Sequence, residues 1–112
     1  MITERKIIAY KTYFLDFIKT LTEKEAKKIY YILDMLKVQD RLSTKFVKHI
    51  KDGLFELRAE YNSNIYRVFF CFDEEQIVIL FNGFQKKSQK TPQYEIIKAL
   101  KIKEEYYGSK EQ

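Results

Sequence analysis

Apolar residues switch between helical spacing and strict alternation along the chain, and the switches divide it into elements. Residues 7–11 (IIAYK) are short, β-branched and aromatic, which predicts an edge strand. From Thr12 onward Phe14, Phe17, Ile18 and Leu21 follow helical spacing over Asp16 and Lys19, a short first helix. Thr22 and Glu25 then form a T-x-x-E capping box. It stands ahead of Ala26, Ile29, Tyr30, Leu33 and Leu36, which predict an amphipathic second helix to about Val38. The two helices make a hairpin with almost no loop. Tyr31, Ile32 and Met35 widen the apolar stripe of the second helix; core packing is the preferred reading of that width, and a face for a partner chain is the other.

Gln39–Thr44 reads as a connection, and Lys45–Asp52 as a short irregular or helical turn ending at Gly53. Leu54–Tyr61 alternates Phe55, Leu57, Ala59 and Tyr61 with Glu56, Arg58 and Glu60, a strand whose apolar side is buried. Asn62, Ser63 and Asn64 are turn formers, and Ile65–Phe72 is the next strand. Parity matters here, because a loop of two or four residues puts Arg58 and Arg67 on one face and a loop of three separates them. Only the even loop sets Tyr66, Val68, Phe70 and Phe72 beside Phe55 and Leu57. Arg58 and Arg67 are then neighbours on the open face of the sheet. After a tight turn at Asp73–Glu75, Gln76–Phe84 is apolar on both sides, which fits an interior strand. Thr91 as N-cap and Pro92 at the first helical position start a last helix to about Tyr107, with Gly108 ending it and the final four residues frayed. The predicted order is β-α-α-β-β-β-α, an α+β fold with an antiparallel sheet, a helical hairpin on one face and a C-terminal helix.

The 112 residues suit one domain spanning 1–112. Nine Tyr and nine Phe supply core area, while three Gly and one Pro leave little material for long loops. The single Cys71 forms no internal disulfide and is read as a small core residue. With no signal-peptide pattern and no apolar run of membrane-spanning length, the expected compartment is the cytoplasm, with no membrane partner. The net charge of +5 is unevenly placed: residues 41–58 carry +3, residues 84–90 carry another +3, and the remainder sums to −1. Such clustering at the borders of the strand-rich segment is the footprint of a polyanion site, with solvated surface lysine as the plain alternative.

No pattern supports a metal centre, a Gly-rich phosphate loop or a nucleophile elbow, and no cofactor is implied. The remaining chemistry lies in Arg58, Arg67 and Glu56, bordered by Lys48, Lys51, Lys86, Lys87 and Lys90. RNA is cut without a metal when its own 2′-hydroxyl attacks the adjacent phosphate, a route that needs charge neutralised and protons moved. The planar fork of arginine suits the first task. A lysine desolvated among other cations, Glu56 or His49 are candidates for the second. Each has a plain counterpart: Glu56 and Arg58 also fit a surface ion pair, and His49 a surface side chain. Tyr61, Tyr66 and Tyr94 are read first as packing groups.

GLFELR (53–58), IYRVFF (65–70) and above all GFQKKSQKTPQYEIIKA (83–99) resemble the HigB-type, phage-derived branch of the RelE/ParE toxin superfamily, over roughly residues 7 to 107. The resemblance implies a RelE-like fold and a ribosome-dependent mRNA endonuclease that inhibits translation. It also implies a helix-turn-helix antitoxin as partner, with DNA engaged only through that antitoxin. Residue by residue it matches Arg58 and Arg67 to the family's strand arginines, Glu56 to its acidic position and Lys86, Lys87 and Lys90 to its basic segment. With the bordering lysines this makes Arg58, Arg67, Glu56 and Lys87 the catalytic candidates and Lys48, Lys51, Lys86 and Lys90 the RNA-binding ones. Alternatives on the same scaffold are a non-nucleolytic inhibitor of DNA gyrase and an inactive relative that retains antitoxin binding.

Overall fold

Five strands and three helices form three layers in the computed structural model, which describes residues 4–86 and 91–110, with the backbone alone at Lys86. In chain order they are β1 (Lys6–Ala9), α1 (Tyr13–Ile18), α2 (Glu23–Val38), β2 (Val47–Lys51), β3 (Leu54–Tyr61), β4 (Asn64–Asp73), β5 (Ile77–Lys86) and α3 (Gln93–Lys110). The sheet runs β1-β5-β4-β3-β2. β1 lies parallel to β5 at one edge, and the other neighbours are antiparallel. The expected edge strand, meander and helical hairpin are all present.

One element was not foreseen. Lys45–Asp52 is not an irregular or helical turn but largely the strand β2, paired with β3 from Val47↔Leu57 to Lys51↔Leu54. A register shift between His49 and Lys51 breaks its alternation, so Val47 and Ile50 lie three apart and no period-two pattern forms. Asp52 (φ 51°) and Gly53 (φ 75°) turn the chain into β3 with left-handed dihedrals at both central positions. Asn62 (φ 52°) and Ser63 (φ 66°) do the same between β3 and β4. That second loop has two residues, so the even parity is correct and Arg58 pairs directly with Arg67.

Each sheet face has its own core. On one, Phe14 and Phe17 of α1 and Ile29, Ile32, Leu33 and Leu36 of α2 pack on Leu57, Ala59, Tyr66, Val68, Phe70, Val78 and Leu80. The N-terminus of α2 carries the predicted capping box, Thr22 with Glu25. The Tyr66 hydroxyl donates to Glu25 Oε2, fastening β4 to that helix end. On the opposite face, Ile96, Ala99 and Ile102 of α3 cover Leu54, Phe69, Cys71, Ile79, Phe81 and Phe84. The face read as open is therefore closed by α3, because Leu54, Phe69 and Cys71 are as apolar as the strand side facing the hairpin. α3 begins at Gln93 and continues through Gly108 to Lys110 instead of ending there. Its last turns are anchored: Tyr106 Oη donates to Asp73 Oδ2 at 2.6 Å and Lys110 Nζ to the same oxygen at 2.6 Å. No helix among the described residues is long and apolar enough to cross a membrane.

Candidate functional site

Where α3 begins, the face it covers turns polar. Glu56, fully buried on β3, accepts from Arg58 Nε at 2.8 Å and from Arg67 Nη1 at 2.7 Å, both on Oε1. Thr91 closes the cluster, donating to Glu56 Oε2 at 2.5 Å and accepting from Arg67 Nη1 at 3.0 Å. The cross-strand register produces this directly, since Arg58 stands opposite Arg67 and Glu56 is two residues along the same side of β3. Two cations and a hydroxyl supply the bonds that an anion taken out of water requires.

The two arginines are not equivalent. The side chain of Arg67 is 1% exposed and that of Arg58 27%. Glu56 and Arg67 are thus not on an open surface, as the sequence implied, but sealed beneath the start of α3. Thr91, expected to cap that helix, spends its hydroxyl on Glu56. Arg58 uses Nε internally, and no other described residue bonds to its guanidinium. Its terminal nitrogens are therefore available to a ligand.

They face a cleft of about 620 Å³ lined by Lys28, Tyr31, Lys45, Phe46, Arg58, Tyr61 and Arg67, among others. β2 stops pairing with β3 at Leu57, and Arg58 N donates back to Phe46 O, so the edge of β3 from Ala59 to Tyr61 has no neighbouring strand among the described residues. The cleft wraps round that bare edge to α2. Lys28 and Lys45 join the arginines there, against the single acid Glu60.

The other sequence candidates are dispersed. Lys48 is exposed at the register of Glu56, on the edge strand beside the arginine cluster. Lys51 is exposed opposite Leu54, about 13 Å along the strand from Arg58. It does not join the cleft, because the β2–β3 turn carries it to the far end of the sheet. The backbone of Lys86 stands opposite Ile65, near Arg67 in β4. Lys87 and Lys90 lie outside the described residues. His49 is exposed with its ring 5.1 Å from that of Phe55, away from the cleft. Cys71 is buried, and burial pushes its thiol pKa up, which suits an inert core group. Tyr94 is exposed in a separate hollow with Tyr13 and Ile97.

Sequence reasoning missed Lys28, Tyr31 and Phe46 as cleft residues and Thr91 as a partner of Glu56. The signal for the first two was their spacing of three on α2, a cation and an exposed ring on one helix flank. For Thr91 there was none, since nothing in its own segment points to β3.

A family profile described as phage-derived protein Gp49-like (DUF891) matches residues 16–104. No curated protein matches the chain. Among solved structures it is similar to the archaeal RelE–RelB complex of Pyrococcus horikoshii OT3, with a TM-score of 0.55 and 14% identity, covering 80% of this chain and 100% of that one. The fold is RelE-like.

Proposed function

The chain belongs to the phage-derived Gp49-like family, and from that premise we propose that it is the toxin of a toxin–antitoxin pair, an endoribonuclease that cuts message on the ribosome. The observation that carries the reading is Arg58, which holds free guanidinium nitrogens at the mouth of a cationic cleft while its Nε is fixed by a buried carboxylate. A guanidinium clamped at one edge keeps its direction, so its remaining donors stabilise charge without reorganising as that charge develops. In cleavage by the RNA 2′-hydroxyl, that charge appears on the phosphorane oxygens. Lys28 and Lys45 hold flanking phosphates, and Lys48 extends the cationic border; Lys86, Lys87 and Lys90, whose side chains lie outside the described residues, are further RNA-binding candidates from the sequence.

Arg67 and Glu56 act through Arg58 in this scheme. Both Glu56 oxygens already accept hydrogen bonds, so the carboxylate positions two arginines and Thr91 rather than moving protons. The partner that silences the toxin is a cognate antitoxin, by analogy with the RelE–RelB pair whose fold the chain shares.

A second reading, a toxin that inhibits a target by binding without cutting, draws on the same ion cluster, because Glu56 offsets part of the cationic charge a cleaving site uses. Induced expression followed by mapping of message 5′ ends, with and without translation, separates the two. New ends that require translation support the ribonuclease. Growth arrest with intact message and accumulating DNA breaks supports the inhibitor and overturns the first reading.

A further inference from the structure

Beyond the arginines, the cleft changes from cationic to aromatic. Tyr31, Phe46 and Tyr61 line it together with Lys28 and Lys45. Tyr31 is the most exposed of these rings at 61%, carried on the regular helix α2, and no described residue gives it a hydrogen bond, ion pair or ring contact. Its helical neighbour Ile32 is buried in the core, so the backbone beneath Tyr31 is fixed while its ring projects freely. One turn earlier stands Lys28, and across the bare edge of β3 is Lys45, whose Nζ lies 5.5 Å from the Phe46 ring centre.

Aromatic rings interleaved with cations match a single-stranded polynucleotide, whose bases offer π-faces and whose phosphates recur at each nucleotide. A duplex hides those faces in its stack. The cleft volume of about 620 Å³ falls within the range of small-ligand sites, about 300–1,000 Å³, and suits one nucleotide rather than a helix.

We propose that Tyr31 stacks on an unpaired base of single-stranded RNA whose neighbouring phosphate is held by Arg58, with Lys28 and Lys45 on the flanking phosphates. The cleft is then a base subsite joined to an anion site around the free edge of β3. This rests on the RNA-cutting reading above and adds to it the requirement that the bound strand be unpaired at this position.

The test uses the full chain and a short single-stranded RNA carrying 2-aminopurine, made uncleavable by 2′-deoxy substitution. Wild type is expected to quench the probe's fluorescence on binding, and an RNA duplex of the same sequence to compete poorly. Tyr31→Ala should lose the quench and weaken binding about 5- to 100-fold, whereas Tyr31→Phe keeps both. Arg58→Ala should weaken binding of any base sequence equally. If Arg58→Ala weakens binding but Tyr31→Ala leaves affinity and quench unchanged, the base subsite is wrong and the RNA reading stands. If Tyr31→Phe loses as much as Tyr31→Ala, stacking is overturned in favour of a hydroxyl contact. If wild type binds neither this RNA free in solution nor the same RNA placed in the ribosomal A site, both readings fall.

Discussion

Two guanidinium groups converge on one buried carboxylate, and that geometry assigns different costs to losing each of them. Removing Arg67 leaves Glu56 buried with one cation fewer and loosens Thr91. Breaking such a pair costs about 3–5 kcal/mol, so Arg67→Ala is expected to lose activity through a destabilised fold, visible as a lower Tm before any assay. Arg58→Ala removes the half-exposed partner and should leave the melting transition closer to wild type. Its RNA-cutting rate should fall about 10²–10³-fold, the loss typical of one preorganised donor. Arg58→Lys, which keeps charge but not the fork, should recover only part of that rate. Strand parity was enough to set Arg58 beside Arg67. Which of them reaches solvent was not legible, because burial on this face is decided by α3, from a distant part of the chain.

At the scale of elements, the packing of α1 against β5 depends on a missing side chain. A Cβ at Gly83 would lie 2.8 Å from Phe17 Cε2 and 2.9 Å from Arg67 O. Gly83→Ala should therefore destabilise by about 1–3 kcal/mol, read as a Tm lowered by several degrees, with Phe17→Leu in the same chain recovering part of it. The C-terminal end of α3 depends instead on a charge. The Lys110 ammonium, then the Tyr106 hydroxyl, hold the Asp73 carboxyl below the usual carboxylate range. A folded pKa below the unfolded one means that the unfolded chain binds the extra proton. This stabilisation is thus fully present above the unfolded value of about 4 and fades as pH falls through the folded value. Asp73→Asn should flatten the acid limb of a pH–stability profile. On the alkaline side the sign reverses. Burial, then the Glu25 carboxylate, pushes Tyr66 up to about 12, so its contribution is intact below about pH 10 and is lost as pH climbs through 12. Phenolate absorbance should show Tyr66 ionising late together with Tyr106 and Tyr107, which burial also pushes up, and Tyr66→Phe should lower the amplitude of that late step by one tyrosine. Most elements were readable from periodicity, the capping box and the turn residues. β2 was not, because its register shift hides the alternation, although Asp52–Gly53 is itself a hairpin signal. The extension of α3 past Gly108 was missed because side chains one sheet away hold it.

Across the whole molecule, charge is arranged rather than merely abundant. Of the net +5, the charges counted for a strand in the proposed site are Arg58, Lys28 and Lys45, since the Arg67 side chain is buried while that of Arg58 is partly exposed. Single-strand binding weakens with salt by about 0.7 log units per log unit of salt for each phosphate neutralised. Three contacts predict a slope of about −2, and Lys28→Ala should bring it close to about −1.4. Arg58 and Lys45 were legible in the charge pattern of the chain, but Lys28 was not, because only the fold brings α2 to the edge of β3. The central claim is that this cleft cuts RNA through Arg58. Its most direct test is a reconstituted reaction of purified protein with ribosomes carrying a defined message, read by primer extension for wild type and Arg58→Ala. The account predicts new message ends with wild type on translating ribosomes and about 10²–10³-fold fewer with the variant; a folded Arg58→Ala protein that cuts as well as wild type would contradict it.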